Sequence, residues 1–284
     1  MTKTIILGHE NPDIDSIVSG YLLETLLTKQ GKNVEFIIPD LTISKENIEL
    51  CKIINLDPTK YQKPLPKEKT TYILVDHHER KVNGLIQAIY DHHPTNKNIL
   101  CNYYHNVPSS SVSMLIVKNN EQYFSKADIL MAIFAAMVDT VAFHSPKTIS
   151  SDIDWCKKQC QKYHFDFKEL SILSMCPTNM NNLHEAALNG LKKHNINNFK
   201  IASSYLHLLN PEQEKEKISA IIEILKNYRK ENNYTMFAFL VHDITDFTST
   251  LYKIYDNYIE TVQYNKYASR GTIVIPELMK KFQK

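Results

Sequence analysis

Glycine is scarce in this chain, with six residues in 284 against an average near 7%. No glycine-rich or other low-complexity segment is present, and no internal repeat is visible. Arginine is scarcer still: Arg80, Arg229 and Arg270 are the only three, so each is a candidate for a specific task. There is no surplus of either charge. The formal net charge is +2, which offers no global argument for nucleic acid or a membrane surface as partner. Long apolar runs are absent too. The longest uncharged one, Ile129 to Val138, is about half of what a membrane helix needs. Of the five cysteines, none is spaced as a zinc pair, and Cys156 and Cys160 lie one helical turn apart. Buried or idle thiols are expected, and an odd count without CxxC fits a reducing cytoplasm. The first apolar run is too short for a signal peptide.

Against this plain background, Leu7-Gly8-His9-Glu10-Asn11-Pro12-Asp13-Ile14-Asp15-Ser16 stands out. The preceding Thr4-Ile5-Ile6-Leu7 is short, apolar and β-branched, which predicts a buried strand. Behind it, Ile17, Val18, Tyr21, Leu22, Leu26 and Leu27 recur at helical spacing. The motif is thus a strand-to-helix turn carrying one imidazole and two carboxylates, with Asp15 or Ser16 available as helix cap. In an open α/β sheet such a turn lies at the carboxyl edge, where ligands bind. Neighbouring carboxylates repel and are tolerated together where a cation neutralises both.

The length allows one large domain or two medium ones. Two further predicted strands end on polar runs. Thr71 to Val75 leads into Asp76-His77-His78-Glu79, and Leu85 to Tyr90 leads into Asp91-His92-His93-Pro94. Alternation of these strands with helical segments predicts a parallel sheet. A strong helix is expected over Ser125 to Phe143, carrying Asp139 inside an otherwise apolar run. Cys176 to Asn182 is polar with one proline and is read as an interdomain linker. Beyond it the pattern predicts a helix over Leu183 to Lys193, a strand over Phe199 to Leu206, a helix over Pro211 to Arg229, and strands over Met236 to His242, Thr250 to Ile254 and Thr272 to Ile275. The expected fold is therefore α/β. Residues 1–178 would form a first domain with a parallel sheet flanked by helices, and 183–284 a smaller α+β domain.

Ten polar residues gather at strand ends or inside apolar helices: His9, Asp13, Asp15, Asp76, His77, His78, Asp91, His92, His93 and Asp139. A single His or Asp at a strand end is usually a loop hydrogen-bonder. Ten converging ones point elsewhere, because an unpaired buried carboxylate is costly. Oxygen donors mixed with imidazole suit Mn, Mg, Co, Fe or Zn better than Ca. The set is too large for one tetrahedral site. A pair of metals about 3.5–4 Å apart would use most of it and clamp both oxygens of a phosphoryl transfer.

The signature Gly8-His9-Glu10-Asn11-Pro12-Asp13-Ile14-Asp15-Ser16, with Val75-Asp76-His77 and Asp91-His92-His93, resembles the DHH phosphoesterase superfamily and, within it, family II, manganese-dependent inorganic pyrophosphatases. The similarity continues through Ala136-Met137-Val138-Asp139-Thr140 and Phe143-His144-Ser145-Pro146. It returns in Ser269-Arg270-Gly271-Thr272-Ile273-Val274-Ile275-Pro276. The resemblance implies a DHH metal-binding domain followed by a DHHA2-like substrate-binding lid. It implies two divalent ions, Mn2+ first, with Co2+ or Mg2+ as alternatives. His9 and Asp13 would bind one ion, Asp15, His92 and Asp139 the other, and Asp76 would bridge. A hydroxide held between the ions would attack phosphorus. His93 would contact the phosphate near the leaving group, and Asp91 would support His92 from behind. Ser269, Arg270 and a lid lysine, Lys192 or Lys193, would meet the phosphates when the lid closes.

The chain departs from the family at two places. The family's Ser-Arg-Lys-Lys is here Ser269-Arg270-Gly271-Thr272, and His78 stands where Asn is usual. The expected activity is hydrolysis of pyrophosphate to two phosphates in the cytoplasm. One alternative is a DHH phosphoesterase acting on short polyphosphate or another small phosphorylated substrate. The other is a weakly active regulatory protein that binds a phosphate ligand. Neither nucleic acid nor a membrane is required, and a homodimer is left open.

Overall fold

Short β-branched runs alternating with helices build the first half of the chain. The computed structural model describes residues 3–39, 43–95, 99, 101–197 and 199–282. The chain divides into two compact units, Met1–Met175 and Cys176–Lys284. In the first, β1 (Thr4–Leu7), α1 (Ile14–Lys29), β2 (Val34–Ile37) and α2 (Lys45–Ile53) are followed by β3 (Thr70–Val75), β4 (Gly84–Asp91) and β5 (Tyr103–Asn106). Four helices complete the unit: α3 (Val112–Lys118), α4 (Lys126–Asp139), α5 (Ser150–Tyr163) and α6 (Phe167–Ser174). The strands form one sheet in the order β2-β1-β3-β4-β5, parallel throughout. From β1 the connection runs through α1 to β2 on one side, and the chain then returns to β3 on the other. The strand order thus reverses beside β1, and that switch point opens a crevice at the carboxyl edge.

Helix α1 packs against α3, α4 and β2. Gly20, within α1, is required by that packing, since a Cβ there would lie 2.1 Å from the buried Phe36 ring. On one face of the sheet Ile5, Leu7, Ile37, Tyr72, Leu74 and Ile89 form a continuous core. Serine and aspartate caps set the helix starts: Asp13 for α1, Ser111 for α3, and a reciprocal Ser125–Asp128 capping box for α4.

The second unit contains α7 (Leu183–Ala187), β6 (Lys192–Ile196), β7 (Phe199–Leu208), α8 (Lys215–Glu231), β8 (Met236–Asp243), β9 (Thr248–Ile254), β10 (Ile259–Tyr264) and α9 (Ile275–Phe282). Its sheet runs β10-β9-β8-β7-β6 and is mixed, with β7 and β8 parallel across the α8 crossover. One face, including Ala202, Leu206, Phe237 and Phe239, is covered by α7 and α8. The other, including Ile201, Met236, Ala238 and Leu240, lies under Ala268, Val274 and Leu278. Among the described residues no helix is long and apolar enough to cross a membrane.

Several local expectations are corrected. The helix expected over Leu183 to Lys193 stops at Ala187, and Lys192–Ile196 is an edge strand paired with β7. Gly190, in left-handed backbone at φ +58° against the Tyr205 ring, breaks the helix. The strand expected over Thr272 to Ile275 is a wide helical turn, Arg270–Val274, running into α9. There the spacing of Val274 and Leu278, both buried, outweighs β-branching. Helix α4 ends at Asp139 rather than Phe143, because Val141, Ala142 and Phe143 are all left-handed. Strands β5, β6 and β10 were not expected, being short polar edges. Thr178, within the expected linker, is bound in both directions to His207 on β7.

The Gly20 contact is directly testable. Gly20→Val should cost about 1–3 kcal/mol of stability by overpacking against Phe36. Urea unfolding of the variant checks this, and an unchanged midpoint would remove the close-packing argument.

Candidate metal centre

Three strand ends deliver the site. At the end of β1, Gly8 has no room for a side chain, since a Cβ would lie 2.1 Å from Ser16 Oγ. That hydroxyl accepts the His9 N–H at 3.0 Å. Asn11 takes left-handed backbone at φ 53°, which asparagine tolerates. Asp13 then caps α1, its Oδ1 accepting the Ser16 N–H at 3.0 Å. One turn of chain therefore serves as helix cap and donor cluster at once. The Pro12 carbonyl accepts from Asn47 at 2.9 Å, and the Gly8 carbonyl accepts from Arg80 Nη1 at 2.9 Å.

Asp15 lies in the first turn of α1 and is buried. Its carboxylate accepts the N–H groups of Val112 (2.7 Å) and Ser113 (2.9 Å) and the Ser113 hydroxyl, the unpaired donors at the start of α3. Asp76 follows β3 directly, in left-handed backbone at φ 63°. Its N–H is bound to the Tyr90 carbonyl at 2.8 Å. Asp139 is the last residue of α4.

These side chains converge. His9 Nε2 lies 3.4 Å from Asp13 Oδ2 and 3.6 Å from Asp76 Oδ2. His92 Nε2 lies 3.3 Å from Asp76 Oδ1 and 3.6 Å from Asp139 Oδ2. Donor atoms within 4.8 Å of one another form three triads: His9, Asp13 and Asp76; Asp15, His92 and Asp139; and Asp76, His92 and His93. The two imidazoles are held alike. His9 Nδ1 lies 2.8 Å from the Glu10 carbonyl and His92 Nδ1 lies 2.9 Å from the Ser109 carbonyl. With Nδ1 engaged by a carbonyl in each, both Nε2 atoms face the carboxylates, the usual orientation of metal-ligating histidines. Asp76 Oδ1, His92 Nε2 and Asp139 Oδ2 are buried without a hydrogen bond. Unpartnered polar atoms of this kind gathered in one place suit a bound cation.

The electrostatics agree. Burial, followed by the charges of Asp15 and Asp13, pushes Asp76 well above the usual carboxylate range. Burial also raises Asp15, with Asp139 adding to the rise and His92 opposing it. Burial disfavours charge on His9, yet the hydrogen bond and charge of Asp13 outweigh it and carry the imidazole up to about 9. Burial lowers His77 to about 4. Its Nδ1 is bound to the Val75 carbonyl at 2.9 Å, and it serves as a neutral wall of the site.

Asp91 supports His92 through its backbone rather than its ring, and holds two further histidines. Its Oδ1 accepts the backbone N–H groups of His92 (2.8 Å) and His93 (3.1 Å) and the His93 ring Nδ1–H (2.9 Å). Its Oδ2 accepts from His78 Nδ1. The carboxylate thus orients the His93 and His78 rings, and the Ser109 carbonyl orients His92. Burial opposes the charge on Asp91, but these histidine hydrogen bonds hold it below the usual range. The His93 side chain is 42% exposed at the rim.

The remaining sequence candidates lie in the second unit. The Arg270 guanidinium sits over the Tyr205 ring at 5.4 Å, and Nη1 donates to the Gly190 carbonyl. Ser269 precedes the wide turn, and Lys192 and Lys193 are exposed on β6. Gly271 faces open space. On the same sheet face His242 stacks on Tyr267 at 4.2 Å. Burial, then His207 and Arg270, push His242 well below the ordinary histidine value. Sequence reasoning missed Ser109, Ser113 and Lys147, and it flagged Arg80 only for its rarity; all four are near the first unit's cluster. They reach it from distant turns, with no local spacing to signal them.

Residues 3–142 match the DHH family, N-terminal domain. A protein of Lactobacillus acidophilus named as a probable manganese-dependent inorganic pyrophosphatase is 23% identical over 263 residues, covering 87% of this chain and 83% of that protein. One of the same name from Listeria monocytogenes is 27% identical over 166 residues, covering 54% of this chain and 53% of that protein. Among solved structures, a Methanococcus jannaschii protein titled "putative family II inorganic pyrophosphatase" superposes with a TM-score of 0.58 at 21% identity, covering 99% of this chain and all of that one. An exopolyphosphatase-related protein of Bacteroides fragilis gives 0.51 at 16% identity, covering 99% of this chain and 93% of that one. At these identities the structural likeness is one of fold.

The carboxylate cluster has a sign that can be measured. Asp76 has a folded pKa above its unfolded value, so it favours folding at low pH and loses that contribution as pH rises through the folded value. In chelator at pH 8, Asp76→Asn should therefore melt higher than wild type. With Mn2+ added the order should reverse, since ligand binding stabilises the wild type by mass action. Thermal melts in the two conditions check this, and an order that is the same in both would contradict a cation-dependent cluster.

Proposed function

From a chain whose residues 3–142 form a DHH-family N-terminal domain, we propose a metal-dependent phosphohydrolase whose principal reaction is hydrolysis of inorganic pyrophosphate. The observation that carries the reading is the donor set around Asp76. Two triads of His and Asp meet there, with both histidine Nε2 atoms turned inward and three buried polar atoms unpaired. In this reading His9 and Asp13 would hold one divalent cation, Asp15, His92 and Asp139 would hold a second, and Asp76 would serve both. Manganese is the first choice for this mixture of imidazole and carboxylate, and it is named in the relatives. Bound divalent cations supply an activated water at neutral pH and a clamp on the attacking and leaving oxygens.

The protein's own residues then divide the work. Asp15, fixed by the Val112 and Ser113 N–H groups, and His92, fixed by the Ser109 carbonyl, cannot turn away from the cluster. His93, with Nδ1–H committed to Asp91, offers Nε2 to a phosphoryl oxygen on the leaving side. Arg270, with Ser269 and a β6 lysine such as Lys193, supplies the phosphate contacts of the second unit. A reading in which longer or esterified phosphates are preferred draws on Gly271, which lacks a cationic side chain where open space would admit one.

Turnover of pyrophosphate, tripolyphosphate and a dinucleotide with Mn2+ tests this function. Pyrophosphate should be cleaved fastest, and Asp76→Asn should abolish most of the activity. Arg270→Ala should lower kcat/KM for pyrophosphate about a hundredfold, the scale of one transition-state clamp, with manganese content unchanged. Gly271→Lys should lower KM for pyrophosphate relative to the other substrates. Faster cleavage of tripolyphosphate or the dinucleotide would move the assignment to that substrate, and no turnover of any would leave a phosphate-binding role.

A further inference from the structure

Lys147 is the residue at the cluster that no role above uses. Helix α4 ends at Asp139, where the helix dipole already disfavours a negative charge. The chain then reverses through three left-handed residues, Val141, Ala142 and Phe143, with φ of 55°, 50° and 68°. Such backbone is costly for non-glycine residues, most of all for β-branched valine, and persists where its surroundings enforce it. Here they do. The Ala142 N–H is bound to the Met137 carbonyl at 2.6 Å and the Ser145 N–H to the Thr140 carbonyl at 2.8 Å. The Phe143 N–H donates to Thr140 Oγ1 at 3.1 Å, and its ring stacks on Phe167.

The result of this reversal is that Lys147 Nζ returns to 3.0 Å from Asp139 Oδ1. The other oxygen, Oδ2, faces His92 without a hydrogen bond. The ammonium also feels the negative charges of Asp76 and Asp13. Its side chain remains 53% exposed, which leaves it open to an incoming anion.

Charge balance bears on which anion would gain from it. Asp13, Asp15, Asp76 and Asp139 would be neutralised by two divalent cations. A substrate with adjacent phosphoryl groups then brings several uncompensated negative charges, and these need further cationic donors. Position 271 provides none. Resting on the function proposed above, we infer that Lys147 is a phosphate-binding residue, contributed by the first unit itself, that contacts a phosphoryl oxygen of the substrate beside Asp139. Lysine suits this place as a mobile point charge on a flexible stem.

Calorimetry on the full-length protein separates this from a purely supporting role for Asp139. Wild type, Lys147→Met and Lys147→Arg are titrated first with Mn2+ and then, metal-loaded, with imidodiphosphate, a pyrophosphate analogue with a bridging nitrogen. Lys147→Met should bind Mn2+ within about threefold of wild type. It should bind imidodiphosphate about 10- to 100-fold more weakly, the scale of a charged hydrogen bond, and Lys147→Arg should recover most of the loss. Equal imidodiphosphate affinity in wild type and Lys147→Met would overturn the inference. So would a loss confined to Mn2+ affinity, which would make Lys147 a support for Asp139 alone. Metal-loaded wild type that binds no imidodiphosphate would overturn the proposed function and this inference together.

Discussion

Mutual repulsion among carboxylates brought to one sheet edge is the constraint around which the first unit is built. Asp13, Asp15, Asp76 and Asp139 share a small volume with His9 and His92, and burial raises Asp76 and Asp15 above their ordinary values. Folding opposes such a gathering unless something offsets it. Each carboxylate is accordingly held by a separate device. Asp13 caps α1, Asp15 takes the free N–H groups of α3, Asp76 is fixed in left-handed backbone by the Tyr90 carbonyl, and Asp139 is met by Lys147. The cations proposed above would offset the charge gathered there.

The parallel sheet makes that gathering geometrically available. All five strands point their carboxyl ends the same way, and the order reverses beside β1, so loops from β1, β3 and β4 open onto one crevice. Close packing then fixes the approach. Gly8 admits Ser16 and Gly20 admits Phe36 with no space for a methyl group. The chain's few glycines are in part spent where α1 must lie tight against β1 and β2. A side chain at either place would move the turn that carries His9 and Asp13.

The second unit solves a different problem. Its mixed sheet buries both faces, one under α7 and α8 and the other under the segment from Ala268 to Leu278. At the polar end of the latter face, Arg270 is aligned by the Tyr205 ring and the Gly190 carbonyl beside a weakly basic, buried His242. A cation held against an aromatic face has less freedom to lose in any further contact than one on a free stem. Lys147 in the first unit is the opposite case, a flexible ammonium at the cluster itself.

The sequence alone was sufficient for the parallel sheet and for its chemistry-bearing edge, because both are written locally. Apolar runs announce buried strands, and the His and Asp residues follow within a few positions of each strand end. Asp139 could be singled out because a carboxylate inside an apolar helix needs a partner. What only the tertiary structure decided depends on contacts between distant segments. No spacing links Ser109 to His92, Ser113 to Asp15, Arg80 to Gly8 or Asp91 to His78. The strained reversal that returns Lys147 to Asp139 is set by packing against Phe167 and by Thr140, not by a turn residue that could be read. Edge strands β5, β6 and β10 were illegible because their burial is partial and their alternation weak. The turn at Arg270 took helical form against its β-branched composition because Val274 and Leu278 gain more from burial on the sheet than the backbone preference costs.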